Sequence, residues 1–148
     1  MLALLAAVAV LAAPVPAAER PAPTHFLWPA QGTITSPFGP RAGGFHPGVD
    51  IGILRSLTVR AAAPGRVTLV GTPAGYEGYG TIVAVDVGGG DTTIYAHLAS
   101  FSVHVGDEIE AGEPIAVAGC TGWCSGTHLH FELRLRGRSV NPLRIPIG

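Results

Sequence analysis

The chain has 148 residues and a formal net charge of −1, enough length for one domain with a hydrophobic core of its own. Its 21 glycines, 13 prolines and few charges favour short strands and tight turns over long helices. Lysine is absent, which excludes Schiff-base chemistry, a Ser–Lys dyad and lipoyl or biotinyl attachment. No basic stripe with interleaved aromatics is present, so nucleic acid is not an expected partner.

In chain order, residues 1–17 read as a secretory signal. The apolar run from Leu2 to Ala13 has the length of a signal core and is too short to span a bilayer. Small residues at Val15 and Ala17 place the expected cut after Ala17, although no positive charge precedes the run. Export to the cell envelope or beyond follows, with no stable membrane insertion once the signal is removed. Residues 18–25, carrying Pro21 and Pro23, read as a Pro-rich linker, and the domain is expected over 26–148.

Within the domain, strands are predicted around Thr33 to Ser36, Leu57 to Arg60 and Arg66 to Val70, the last two separated by Ala63-Pro64-Gly65. The segment Thr81 to Val87 is apolar on both faces and reads as a covered central strand. Gly88-Gly89-Gly90-Asp91 turns it into a hairpin with Asp91 to Leu98. Val103 to Gly106 and Pro114 to Ala118 flank a further turn, and His128 to Arg136 is the final long strand. No segment sustains a helical period, so the fold class is all-β, with packed antiparallel sheets.

Three short stretches carry the chemistry: Phe45-His46-Pro47-Gly48-Val49-Asp50, Tyr95-Ala96-His97-Leu98 and Gly126-Thr127-His128-Leu129-His130-Phe131-Glu132. Strand alternation puts His128, His130, Glu132, Arg134 and Arg136 on one face and Leu129, Phe131, Leu133 and Leu135 on the other. Two imidazoles one residue apart on a polar face can meet one ion or one substrate; the competing reading is a polar face with two incidental histidines. His46 and Asp50 flank a Pro-Gly break, where a turn can bring an imidazole and a carboxylate to one centre, a donor set that suits Zn²⁺. A lone Asp there would more often close an Asx turn. The same alternation places His97 on the face of Tyr95, which could then support a ligand or touch substrate. His25 and His104, beside the linker and a turn, read as surface residues.

These stretches, with "SPFGPRAGGFHPGVDIG", "GYGTIVAV", "TTIYAHLASFSVHVGDEIEAGEPIAVAG", "TGWCSGTHLHFELR" and the closing "VNP", resemble the lysostaphin-type, or LytM-like, zinc endopeptidases, whose fold is the duplicated hybrid motif. The resemblance runs from about Trp28 to Pro142, and the ordered set HxxxD, YAH and HLHFE is specific where each alone is weak. It implies a peptidoglycan hydrolase with one Zn²⁺ per chain and an open substrate groove. By position it makes His46, Asp50 and His130 the zinc ligands and His97 and His128 the catalytic pair. The chain departs from the family pattern at Thr81, where an Asn often follows the Tyr-Gly pair, and at Cys120 and Cys124.

In an oxidising compartment Cys120 and Cys124 are expected as a disulfide, since a turn through Thr121-Gly122-Trp123 can bring them into range. Trp123 at its tip could touch substrate. Glu132 is either an outer partner of a ligand histidine or a surface carboxylate. The expected partners are peptidoglycan peptides, met by a monomer. The alternative function is a wall-binding or amidase-regulating module of the same fold that does not cut. A lipoyl-type carrier, which shares the "GDEIEAGEPIA" turn pattern, is removed by the missing lysine.

Overall fold

The computed structural model describes residues 20–148, and the expected signal segment lies outside them. Among these residues the chain forms β1 (Thr33–Ser36), β2 (Gly39–Arg41), β3 (Gly44–His46), β4 (Val49–Gly52), β5 (Thr58–Arg60), β6 (Gly65–Gly71), β7 (Thr81–Gly88), β8 (Asp91–Phe101), β9 (Glu108–Ile109), β10 (Pro114–Ala118), β11 (Leu129–Leu135) and β12 (Arg138–Val140). The remaining regular element is one 3-10 turn, Pro142–Arg144, capped by the Asn141 side chain. No described helix is long and apolar enough to cross a membrane.

All the strand pairings are antiparallel, as the all-β reading expects. One large sheet runs β1-β4-β11-β8-β7-β6-β9, with β10 joining β8 to β5 and β12 pairing β11; β2 and β3 form a separate hairpin. The centre of the sheet is β7, β8 and β11. Val83, Val85 and Val87 of β7 enter one core with Tyr95, Leu98, Leu129, Phe131 and Leu133, while Ile82, Ala84, Ile94 and Ala96 are buried outside that cluster. Side chains of this size contribute roughly 1.5–3 kcal/mol each when fully buried, so the scaffold beneath the polar face of β11 is rigid.

Several short elements carry no periodicity in the sequence. The β2–β3 hairpin and β4 lie in a Gly- and Pro-rich stretch that reads as turn. The predicted final strand is β11; Arg136 and Gly137 then take positive φ and reverse the chain into β12, which the sequence reading did not include. Val103 to Gly106 is a turn: the Asp107 carboxylate accepts the His104 N–H at 2.8 Å, Gly106 has φ +96°, and pairing starts at β9. Arg20 and Pro21, from the segment read as a linker, lie on the Gly88-Gly89 turn; the Gly89 N–H donates to the Arg20 carbonyl at 2.9 Å.

Candidate metal centre and groove

His46 ends β3, Asp50 lies in β4, and Pro47-Gly48 turns between them. Glycine is needed in that turn, since a Cβ on Gly48 would sit 2.3 Å from the Phe131 carbonyl oxygen. β4 pairs with β11 so that Asp50 stands opposite His130. Three ligand atoms therefore converge: His46 Nε2 is 3.1 Å from Asp50 Oδ1 and 3.1 Å from His130 Nδ1, and His130 Nδ1 is 2.9 Å from Asp50 Oδ1. Bonds of about 2.0–2.1 Å in a tetrahedral zinc centre set ligand atoms roughly 3.3 Å apart, so the triangle fits such an ion.

The hydrogen bonds on the outer side of each ring strengthen this fit. His46 Nδ1 lies 2.8 Å from the Pro37 carbonyl, which can only accept, so it carries the proton. His130 Nε2 donates to Glu132 Oε1 at 3.0 Å. The inward nitrogens are then lone pairs facing each other and a carboxylate oxygen, an arrangement that calls for a cation. Burial works against ionisation of Asp50, yet hydrogen bonds with His130 and His46 outweigh it and hold the carboxyl well below the usual range. Burial likewise opposes charge on His130, but Asp50 and Glu132 prevail and raise it above its ordinary 6.5. Without a metal, the centre therefore holds a proton more readily than a free imidazole would.

Glu132 is fully buried, which removes the surface reading. Its Oε1 also accepts from the Tyr79 hydroxyl, and its Oε2 accepts from Arg134 Nε at 2.8 Å and Nη2 at 2.7 Å. Burial favours the neutral acid, but His130, Tyr79 and Arg134 together keep Glu132 ionised below its ordinary value. Arg134 in turn lies over the Tyr76 ring, 5.7 Å from its centroid. Tyr79, which lines the groove, is thereby tied to the outer side of His130.

His97 and His128 stand beside the triangle, their ring centroids 4.8 Å apart. Each has Nδ1 held by a main-chain carbonyl, His97 by Thr121 and His128 by Gly126, both at 2.7 Å. Each Nε2 is left bare; that of His128 lies 3.7 Å from Asp50 Oδ1. Burial is the main cause that pushes His97 below 6.5, against the pull of the Thr121 carbonyl, so its neutral form is favoured.

The structure corrects the placement of Tyr95. Alternation puts it on the His97 face, as a possible substrate contact. It is instead fully buried in the core against Phe131, and its hydroxyl accepts the Ala62 N–H at 2.8 Å. Burial pushes the Tyr95 hydroxyl up to about 12. The cause is a β-bulge: Thr81 pairs with Leu98 and Val83 with Tyr95, so Ile82 alone faces both Ala96 and His97. His97 takes φ +60°, an uncommon conformation for a residue with a side chain that costs roughly 1–3 kcal/mol. The extra residue turns His97 to the groove and returns Leu98 to the core.

The centre opens into two cavities, about 420 and 440 Å³, which meet at Arg41, Asp50, Ser125 and His128. The first has aromatic walls, Phe45, Tyr79 and Trp123; the second is lined by Thr35, Ser36, Ser125 and Thr127. Trp123 is 84% exposed at the rim. Cys120 and Cys124 form a disulfide, their Cα atoms 5.3 Å apart. Sequence reasoning did not single out Tyr79, Arg41, Phe45 or Thr121, for which only the folded loops give a signal.

Fold and site together define an all-β, groove-bearing protein with a two-histidine, one-aspartate donor set of the divalent-metal kind. The chain belongs to Peptidase family M23, whose pattern matches residues 44–142. It is 38% identical over 117 residues to the murein hydrolase activator NlpD of Escherichia coli K12, covering 79% of this chain and 30% of that protein. It is 38% identical over 120 residues to the DD-carboxypeptidase/endopeptidase Mpg of Neisseria meningitidis serogroup B, covering 77% and 27%. The chain thus spans under a third of the length of these relatives. A zinc-containing peptidase from Vibrio cholerae superposes with a TM-score of 0.70 at 27% identity, covering 88% of this chain and 41% of that one.

Proposed function

We propose that the chain is an exported zinc metalloendopeptidase that hydrolyses peptide bonds in bacterial peptidoglycan, at stem peptides or cross-bridges. The observation that carries this reading is the triangle of His46, Asp50 and His130 with two bare imidazole nitrogens beside it. His46, Asp50 and His130 would hold the zinc ion, which when bound supplies a Lewis acid that polarises a carbonyl and brings the pKa of water to about 7. His97 and His128 supply the proton traffic. With Nδ1–H fixed on a carbonyl, a neutral ring accepts a proton at Nε2 and a charged ring donates from the same atom, to the leaving amine or to a developing oxyanion. The groove continues on both sides of Asp50 and His128, as a chain cut in its interior requires.

The experiment is direct. Purified protein loaded with zinc should release new amino groups from cell wall, and a chelator should abolish the release. Hydrolysis that persists in metal-free protein would reject the scheme. A second reading, an amidase-regulating module that does not cut, is favoured by the identity to a murein hydrolase activator. Stimulation of an added amidase by a chain that alone releases no amine and binds no zinc would select it.

A further inference from the structure

The loop that carries Cys120 and Cys124 does more than line the groove. Thr121, inside the disulfide-closed ring, makes three bonds that converge on His97. Its carbonyl accepts the His97 Nδ1–H at 2.7 Å. Its hydroxyl accepts the Thr81 N–H at 3.0 Å and donates to the Leu98 carbonyl at 2.8 Å. Thr81 and Leu98 are the residues that pair across the strained bulge holding His97. The hydroxyl therefore clasps the two strand ends that bracket His97, while the carbonyl of the same residue holds its ring.

The seat of the ring is equally specific. Gly80 and Gly122 face each other with φ +65° and +73°. A Cβ on Gly80 would lie 2.4 Å from the Thr121 carbonyl carbon, and one on Gly122 would lie 2.4 Å from the Gly80 nitrogen. The Trp123 N–H donates to the Gly78 carbonyl at 2.8 Å, and the Tyr79 carbonyl accepts the His97 N–H at 2.9 Å. The ring thus lies against the 78–80 backbone, and that backbone holds the main chain of His97.

We propose that Thr121 is a positioning residue for the hydrolysis: its hydroxyl, clasped between the Thr81 N–H and the Leu98 carbonyl, sets its carbonyl against His97 Nδ1–H, which fixes the tautomer and leaves Nε2 bare toward the groove. The part played by His97 in bond cleavage rests on the proposed function; the fixing of its tautomer does not. The Cys120–Cys124 bridge closes the backbone on either side of Thr121 and limits how far it can drift.

Two variants test this in the zinc-loaded protein. Thr121→Val keeps the shape and removes the hydroxyl; Thr121→Ser keeps the hydroxyl and removes the methyl. Expected for Thr121→Val is a fall in kcat of about tenfold or more with KM and zinc content unchanged. Thr121→Ser should restore kcat. Long-range proton–nitrogen NMR of the His97 ring should give a protonated Nδ1 and a bare Nε2 in the wild type and in Thr121→Ser, and a mixture of tautomers in Thr121→Val. A single Nδ1–H tautomer in Thr121→Val, or a Thr121→Ser variant no better than Thr121→Val, would overturn the proposal. Should the zinc-loaded wild type hydrolyse nothing, the functional reading fails, and the ring spectrum alone still decides whether Thr121 sets the tautomer.

Discussion

Replacing Glu132 by Gln tests how the centre is held. The two shapes match, but the hydrogen-bond inventory does not. Glu132 Oε1 accepts from His130 Nε2 and from the Tyr79 hydroxyl, and Oε2 accepts twice from Arg134. A glutamine has one oxygen for these donors. Turned toward His130, it presents its NH₂ to Arg134, which is 27% exposed and can swing to solvent. Turned toward Arg134, it presents NH₂ to His130 and drives the ring to the Nδ1–H tautomer, which cannot ligate. Loss of such an outer partner typically costs 10–100-fold in metal affinity, about 1.4–2.7 kcal/mol. Because Arg134 can rehydrate, the stability loss should stay below the roughly 3–5 kcal/mol of a broken, fully buried pair. Competition with a chromophoric chelator gives the zinc Kd, and thermal unfolding of the metal-free protein gives the stability. Zinc bound by Glu132→Gln as tightly as by the wild type would refute the argument that Glu132 sets the His130 tautomer.

Asp50→Ala or His46→Ala should reduce zinc content from one per chain to near zero and abolish amine release from cell wall, read by elemental analysis and amine labelling. His128→Ala should keep zinc and lose about a hundredfold or more in kcat, since its Nε2 lies beside the triangle and not within it. The metal-free centre raises His130 above 6.5, so zinc competes there with a proton; zinc affinity should weaken as pH falls through that raised value, and calorimetry at such pH in buffers of different ionisation enthalpy should register proton release. Unfolded, unreduced protein should titrate no thiol, because Cys120 and Cys124 are joined; opening their short ring should cost about 2 kcal/mol in the chain-entropy picture, seen as a lower Tm after reduction.

The HxxxD and HLHFE stretches were legible because their geometry is local. Alternation along β11 separates His130 and Glu132 from Leu129, Phe131 and Leu133, and the core bears out that split. The Pro47-Gly48 turn likewise announces itself by residue type. Tyr95 was misplaced for the opposite reason: the bulge that separates it from His97 uses no glycine, so nothing in the composition marks the break in period. Tyr79 and Thr121 escaped notice because their partners, Glu132 and His97, lie 53 and 24 residues away and meet them only through loop packing. The depth of Glu132 was equally hidden, since a strand's alternate face can be wet or covered, and here Tyr79 and Arg134 close over it.

The bulge in β8 also makes chain length between Tyr95 and Leu98 a part of the chemistry. Deleting one residue there would relax the uncommon backbone of His97 and give a smoother strand, yet it would swing the imidazole under the sheet. The fold would tolerate the repair better than the site would, so variation in this stretch should be restricted to exchange of side chains, with insertions and deletions purged even where they leave the protein more stable.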